Sequence, residues 1–402
     1  MNKRSDQNTQ RRLCYLLAGV GCLAWAAGLL VAAEPAAEQQ SVSPLVDPRL
    51  GADDDAFLNR QAAALLADVS ETLTKVKPVA PEPRERYLAL RLLDAVLHDV
   101  YAPNRPPVQE FFHQRIEQAA AEIETERVDE GAVIWKLYNH GFVVRTRSVT
   151  LAFDIHPGPG GFRITDATGK RAMAPCPGFP VPDEVMLRIA KACDALFISH
   201  SHADHASIPV AQAFIDQGKP VIAPENVFAG SSIHEKITHL KREAHTLQTL
   251  PIQGGKTELR VVVYPGQQYQ DGGVPNNVTL VLTPEGLSFV HNGDQINDPY
   301  PEYQEDYAWI DKVHEHHQVD VYMTNCWGND LFRDVRGFDP KVVLPGHENE
   351  MSHPVWDRVP YWGDSEFLHL TYPELKASQY PVVVMTWGES YHYRRGNSCS
   401  PP

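Results

Sequence analysis

The sequence predicts a layered α/β domain, and three observations predict it. Short apolar runs rich in Val, Ile, Leu and Phe recur from Gly131 onward, with helical patterns between several of them. Ahead of them, three stretches place apolar residues at spacings of three and four. One of the short runs, Ala195-Leu196-Phe197-Ile198, leads straight into Ser199-His200-Ser201-His202-Ala203-Asp204-His205. A buried strand that delivers such a polar cluster to its end is characteristic of a layered enzyme domain, not of a helical bundle.

Taken in chain order, the first element is a leader. Lys3, Arg4, Arg11 and Arg12 precede an apolar run from Leu13 to Ala33, and Val31-Ala32-Ala33 offers small residues for cleavage before Glu34. Gln10-Arg11-Arg12-Leu13-Cys14-Tyr15-Leu16 resembles a twin-arginine export signal. Residues 1–33 are therefore expected to be a signal peptide, giving a periplasmic or secreted protein with no stable membrane span after cleavage. An uncleaved N-terminal anchor is the alternative, because the run is nearly long enough to span a bilayer. Cleavage would remove Cys14 and Cys22 and leave Cys176, Cys193, Cys326 and Cys399, whose spacing matches no zinc knuckle.

Residues 34–130 read as a linker and a helical region. Leu58, Ala62, Leu65, Val69, Leu73 and Val76 form one stripe; Leu90, Leu93, Leu97 and Val100 a second; Val108, Phe112, Ile116, Ala119 and Ile123 a third. Prolines at 78, 81, 83, 103, 106 and 107 separate them. Strands are expected at Ala132–Tyr138, Phe142–Arg145, Val149–Phe153, Leu196–Ser199, Pro220–Ala223, Leu259–Tyr264, Val278–Leu282, Ser288–His291, Val319–Thr324, Val342–Leu344 and Val382–Thr386. They form a domain over residues 131–395, and 396–402 is a tail.

The chain has 402 residues, 43% of them hydrophobic and 22% charged, enough for a substantial core. Its net charge of −15 argues against a nucleic-acid partner and against docking on anionic lipid. The expected partner is a small-molecule or lipid-like substrate.

The polar cluster sets the chemistry. In an extended segment residues i and i+2 share a face, so His200 and His202 can share an ion, while Asp204 and His205 can face a second. Imidazole with carboxylate suits Zn²⁺ and related ions that activate water near neutral pH. Asp154 follows one strand run, Gly293-Asp294 another and Pro345-Gly346-His347 a third. Taken singly, Asp294 reads as a turn aspartate and His347 as a surface histidine.

In this order and spacing the series resembles the metallo-β-lactamase fold superfamily, over about Gly131 to His392. Leu137-Tyr138-Asn139-His140-Gly141-Phe142 and Val290-His291-Asn292-Gly293-Asp294 look most like its branch of ascorbate-phosphate lactonases and N-acyl phosphatidylethanolamine phospholipase D. The resemblance implies a four-layer αββα sandwich. It implies that His200 and His202 hold a first metal, that Asp204, His205 and His347 hold a second, and that Asp294 bridges both. Asp154 would orient a ligand histidine, and Asp204 would act on the nucleophilic water. One departure stands out: Gln267, in Val263-Tyr264-Pro265-Gly266-Gln267-Gln268, takes the place of the family's third first-site histidine. One or two Zn²⁺ per chain are expected, with the first site weakened, in a hydrolase of lactones, esters or phosphodiesters. The alternatives are a non-hydrolytic metal-binding member, an iron-dependent dioxygenase and a β-lactam hydrolase.

Overall fold

Successive side chains point to opposite faces, and in the central strands nearly every one is buried, so the strands have to be covered from both sides. The computed structural model describes residues 54–165, 169–268, 273–295, 307–326, 331–361 and 380–396. The leader, Cys14, Cys22, Cys399 and the tail from 397 lie outside the described residues. Among the described residues no helix is long and apolar enough to cross a membrane.

The chain opens with α1 (Asp54–Lys75), α2 (Arg84–Leu97) and α3 (Pro106–Thr125), followed by β1 (Ala132–Lys136), β2 (Phe142–Arg145) and β3 (Thr150–Phe153). A hairpin of β4 (Gly161–Thr165) and β5 (Arg171–Pro175) precedes α4 (Asp183–Ala192), β6 (Ala195–Phe197), α5 (Ile208–Ile215) and β7 (Val221–Ile222). Then come β8 (Gln248–Ile252), β9 (Thr257–Gln267), β10 (Pro275–Leu282), β11 (Ser288–His291), α6 (Val313–His316), β12 (Val321–Asn325), α7 (Leu331–Phe338), β13 (Val342–Gly346) and β14 (Ser390–Tyr393).

Two six-stranded sheets result, in the orders β14-β1-β2-β3-β6-β7 and β13-β12-β11-β10-β9-β8. Their inner faces share one core, in which Ile134, Phe142, Leu151 and Phe153 of the first meet Val261, Val263, Phe289 and Leu344 of the second. Residues one position along face the other way: Val133, Trp135 and Val143 join Val69, Leu93, Phe112 and Ile116 of the helices. On the second sheet Tyr264 stacks on Trp309 at 4.7 Å and Tyr322 on Phe338 at 4.8 Å. Helix, sheet, sheet and helix make the four-layer αββα sandwich. Each fully buried large apolar side chain stabilises it by about 1.5–3 kcal/mol, so Phe153→Ala in the shared core should cost about 3–5 kcal/mol.

Boundaries depart from the sequence where polarity masked the pattern. In the β4–β5 hairpin only Phe162 is buried and the other residues are half-exposed or exposed, so it gives no apolar run. Pro251 hid β8, yet proline is tolerated there because β8 is an edge strand. Val382–Thr386 is no strand: it makes only a bridge from Val382 to Val343. In α1 the inward stripe is Ala62, Leu66, Val69 and Leu73, with Leu58 42% exposed, and Val100 is exposed beyond α2. Helix α5 begins where Ser207 accepts the Val210 amide.

Strands β3 and β6 run parallel, as do β11, β12 and β13. Parallel strands bring their carboxyl ends to one edge, where α/β folds place ligands. Asp154, Ser199, Asn292 and His347 each lie just beyond such an end.

Candidate metal centre

Asp154 turns out of β3 with φ 43°. It is buried, and its carboxylate accepts the Ser199 amide at 2.7 Å, the Ser199 hydroxyl, and His205 Nδ1 at 2.7 Å. Ser199 has given its only hydroxyl proton to Asp154, so its oxygen, 2.9 Å from His200 Nδ1, accepts from that ring. Both histidines are thereby held by Nδ1 and present Nε2 outward, the orientation a ligating imidazole needs.

Those Nε2 atoms converge with the carboxylate oxygens of Asp204, from the same loop, and Asp294, from the opposite sheet. His205 Nε2 lies 3.3 Å from Asp204 Oδ2 and 3.3 Å from Asp294 Oδ1. His347 Nε2 lies 3.3 Å and 3.4 Å from the same two oxygens. On the other side of Asp294, His200 Nε2 approaches Oδ2 at 3.5 Å. Asp204, His205, Asp294 and His347 thus form one four-residue group, and His200, His202 and Asp294 form a second that shares the carboxylate. His200 Nε2, His205 Nε2 and Asp294 Oδ1 are buried without a hydrogen bond. Buried polar atoms that converge without bonding one another fit a cation placed among them.

The electrostatics agree. Burial alone would raise Asp204 and Asp294, but His205 and His347 outweigh it and hold both well below the usual carboxylate range. Burial alone would lower His205 and His347; the carboxylates, Asp294 foremost, hold His205 well above its usual value and His347 at about 10. Burial, with His205 nearby, pushes His200 down to about 3. The four-residue group therefore attracts positive charge, and a bound divalent ion would replace its protons.

Every residue expected at the centre, Asp154, His200, His202, Asp204, His205, Asp294 and His347, is brought to this edge. The position expected of Gln267 is filled by Gln268, whose Nε2 donates to Asp294 Oδ2 at 3.0 Å. Gln267 instead meets Gln295 through its backbone amide. His234, His239 and His245, the histidines between the cluster and the end of β9, stay away: His234 bonds the Glu225 carbonyl, His239 the Ala223 carbonyl, and His245 stacks with His316.

Three supporting residues were missed although their motifs were visible. Asn139, at φ 56°, donates to Asp204 Oδ2 at 3.0 Å, and its carbonyl accepts the His347 amide at 3.1 Å. His140 and His291 stack at 4.1 Å beneath the ligands, and His291 Nε2 bonds the His140 carbonyl at 2.9 Å. A Cβ on Gly346 would lie 2.3 Å from His140, so glycine is required for β13 to close over that ring.

The centre floors a cavity of about 880 Å³ lined also by Tyr138, His156, Arg163 and Met173. Aromatic residues that neighbour the motifs in sequence lie in the core or at the surface where they are described. Tyr264 is core and Trp356 is 54% exposed, while Tyr269, Trp327 and Trp362 lie outside the described residues. Cys176, Cys193 and Cys326 are buried free thiols.

No family profile and no curated protein matches the chain. Among solved structures it is similar to a metallo hydrolase from the archaeon Ignicoccus hospitalis, at 17% identity over 65% of this chain and 98% of that one, TM-score 0.43. It is similar to an isothiocyanate hydrolase from Delia radicum gut bacteria, at 15% over 65% and 99%, TM-score 0.40. A diiron β-hydroxylase from Streptomyces venezuelae matches at 15% over 67% and 55%, TM-score 0.41.

Proposed function

We propose that the chain is an exported metal-dependent hydrolase of the metallo-β-lactamase superfamily, nearest the lactonase and phospholipase branch, acting on a lactone, ester or phosphodiester. The observation that carries it is the convergence of Asp204, His205, Asp294 and His347 at the floor of an open cavity. These four, with His200 and His202, would hold the metal, and Zn²⁺ suits their mix of imidazole and carboxylate. Bound there, it would supply Lewis acidity and a water acidic enough to act near neutral pH.

The chain's own residues do the positioning. Asp204 is the more open of the two ligand carboxylates, its side chain 19% exposed against 8% for Asp294. With Oδ2 fixed by Asn139, it can orient the attacking water and take up its proton. Asp154 fixes the His205 ring. The leader over residues 1–33 and the division at 130/131 belong to the same proposal.

The test is a panel of lactones, esters and phosphodiesters, assayed with the purified mature protein before and after chelation. Hydrolysis of one class, abolished by chelator, restored by Zn²⁺ and reduced at least about 100-fold in Asp204→Asn, is expected. A metal-loaded, folded protein inactive on the whole panel would support a non-hydrolytic role instead. Iron content with oxygen consumption would support a dioxygenase.

A further inference from the structure

The two ligand groups that share Asp294 are not chemically equal. The Asp204, His205, Asp294 and His347 group brings two carboxylates and two imidazoles to one point. The His200, His202 and Asp294 group brings two imidazoles and only the far oxygen of the shared carboxylate. That oxygen, Oδ2, is the one to which Gln268 donates at 3.0 Å. Gln268 is 6% exposed, and its Oε1 is buried without a hydrogen bond.

Its position is built in. The Gln267 amide donates to Gln295 Oε1 at 2.8 Å, and the Gln268 amide to the Val274 carbonyl at 3.1 Å. Arg242 holds the Gly266 carbonyl. A Cβ on Gly266 would lie 2.2 Å from Gln295 Oε1 and 2.8 Å from the Asn276 carbonyl oxygen on the paired strand, so only glycine lets the strand end sit this close. The side chain that follows is delivered into the centre by a pinned backbone.

We infer that Gln268 divides the centre into unequal halves, one ion binding tightly among Asp204, His205, Asp294 and His347 and a second only weakly beside His200 and His202. The inference rests on the metal-centre reading above. As a donor, the amide occupies the carboxylate oxygen a second ion would share. Turned over, it offers Oε1, a neutral ligand weaker than imidazole or carboxylate. In neither orientation does it supply charge to offset a second dication about 3.5–4 Å from the first, the usual spacing of paired sites.

The test is stepwise zinc titration with metal-to-protein ratios measured after dialysis in zinc buffer, beside Gln268→His, Gln268→Glu and Gln267→His. One tight equivalent is expected in the wild type, with a second weaker by about 100-fold. Two equivalents are expected in Gln268→His and Gln268→Glu, and the wild-type pattern in Gln267→His. Cobalt substitution gives a second readout, since the added ligand should introduce a second set of visible bands. Two zinc ions of similar affinity in the wild type would overturn the inference and leave the hydrolase proposal standing, and the wild-type titration decides this even if a variant misfolds. Absence of any tight zinc would overturn the metal-centre reading itself.

Discussion

Lys136 and Glu348 form an ion pair with both side chains fully excluded from solvent, and the lysine also donates to the Pro345 carbonyl at 3.0 Å. The pair ties the end of β1 to the segment that carries His347. Removing one partner of a buried pair leaves an uncompensated charge in a medium that solvates it poorly. Lys136→Met should therefore destabilise the fold by about 3–5 kcal/mol. Chemical denaturation checks this, and a loss under about 1 kcal/mol would show that water reaches Glu348.

Asp154 holds His205 without facing the cavity. Asp154→Asn keeps the volume but replaces an acceptor of three hydrogen bonds with a group that cannot accept them all. Zinc affinity should fall about 10- to 100-fold with far-ultraviolet circular dichroism unchanged. Chelator competition measures it; an unchanged affinity would mean that packing alone orients the ring.

Zinc binding should release protons. His205 is held well above its usual value and His347 at about 10, so both are protonated at neutral pH without metal. A ligating imidazole must be neutral, so about two protons leave as the ion enters, and apparent affinity rises with pH. Calorimetry in buffers of different ionisation enthalpy reads this number directly. A value near zero would contradict the charge balance described here.

Asp94, on α2, accepts from Asn349 at 2.9 Å and from the Tyr361 amide at 2.8 Å, and burial pushes its carboxyl up to about 7. A carboxyl raised in the fold above its unfolded value near 4 favours the protonated, folded form. Its contribution is complete below about pH 4 and is lost as pH rises through about 7, a swing on the order of 4 kcal/mol. Urea midpoints at pH 5 and pH 8 should differ less in Asp94→Asn than in the wild type. Equal differences in the two proteins would remove Asp94 as the source.

How much of this was legible depended on whether a residue's role was local. Phe142–Arg145 and Ser288–His291 are strands at the bounds expected, because a buried strand needs only its own apolar side chains to announce itself. The cluster from His200 to His205 was legible for the same reason: four potential metal ligands in six residues follow one strand. Gln268 was not, because which of two adjacent glutamines enters the centre depends on how Gly266 packs against Gln295. Strand β14 was hidden by its tyrosines and histidine, and it is fixed only by pairing Ala132 with Tyr393, residues at opposite ends of the domain. His140 and His291 carry no separate signal, since their contact exists only once the two sheets have met.

That meeting of sheets has a mechanical consequence. Asp204 and His205 belong to the edge of one sheet, Asp294 and His347 to the edge of the other. An ion gripped by all four would rivet the sandwich shut at its rim, joining stretches of chain more than 140 residues apart at their extremes. Stripping that ion would then free the two leaves to part, and proteases should begin cutting there.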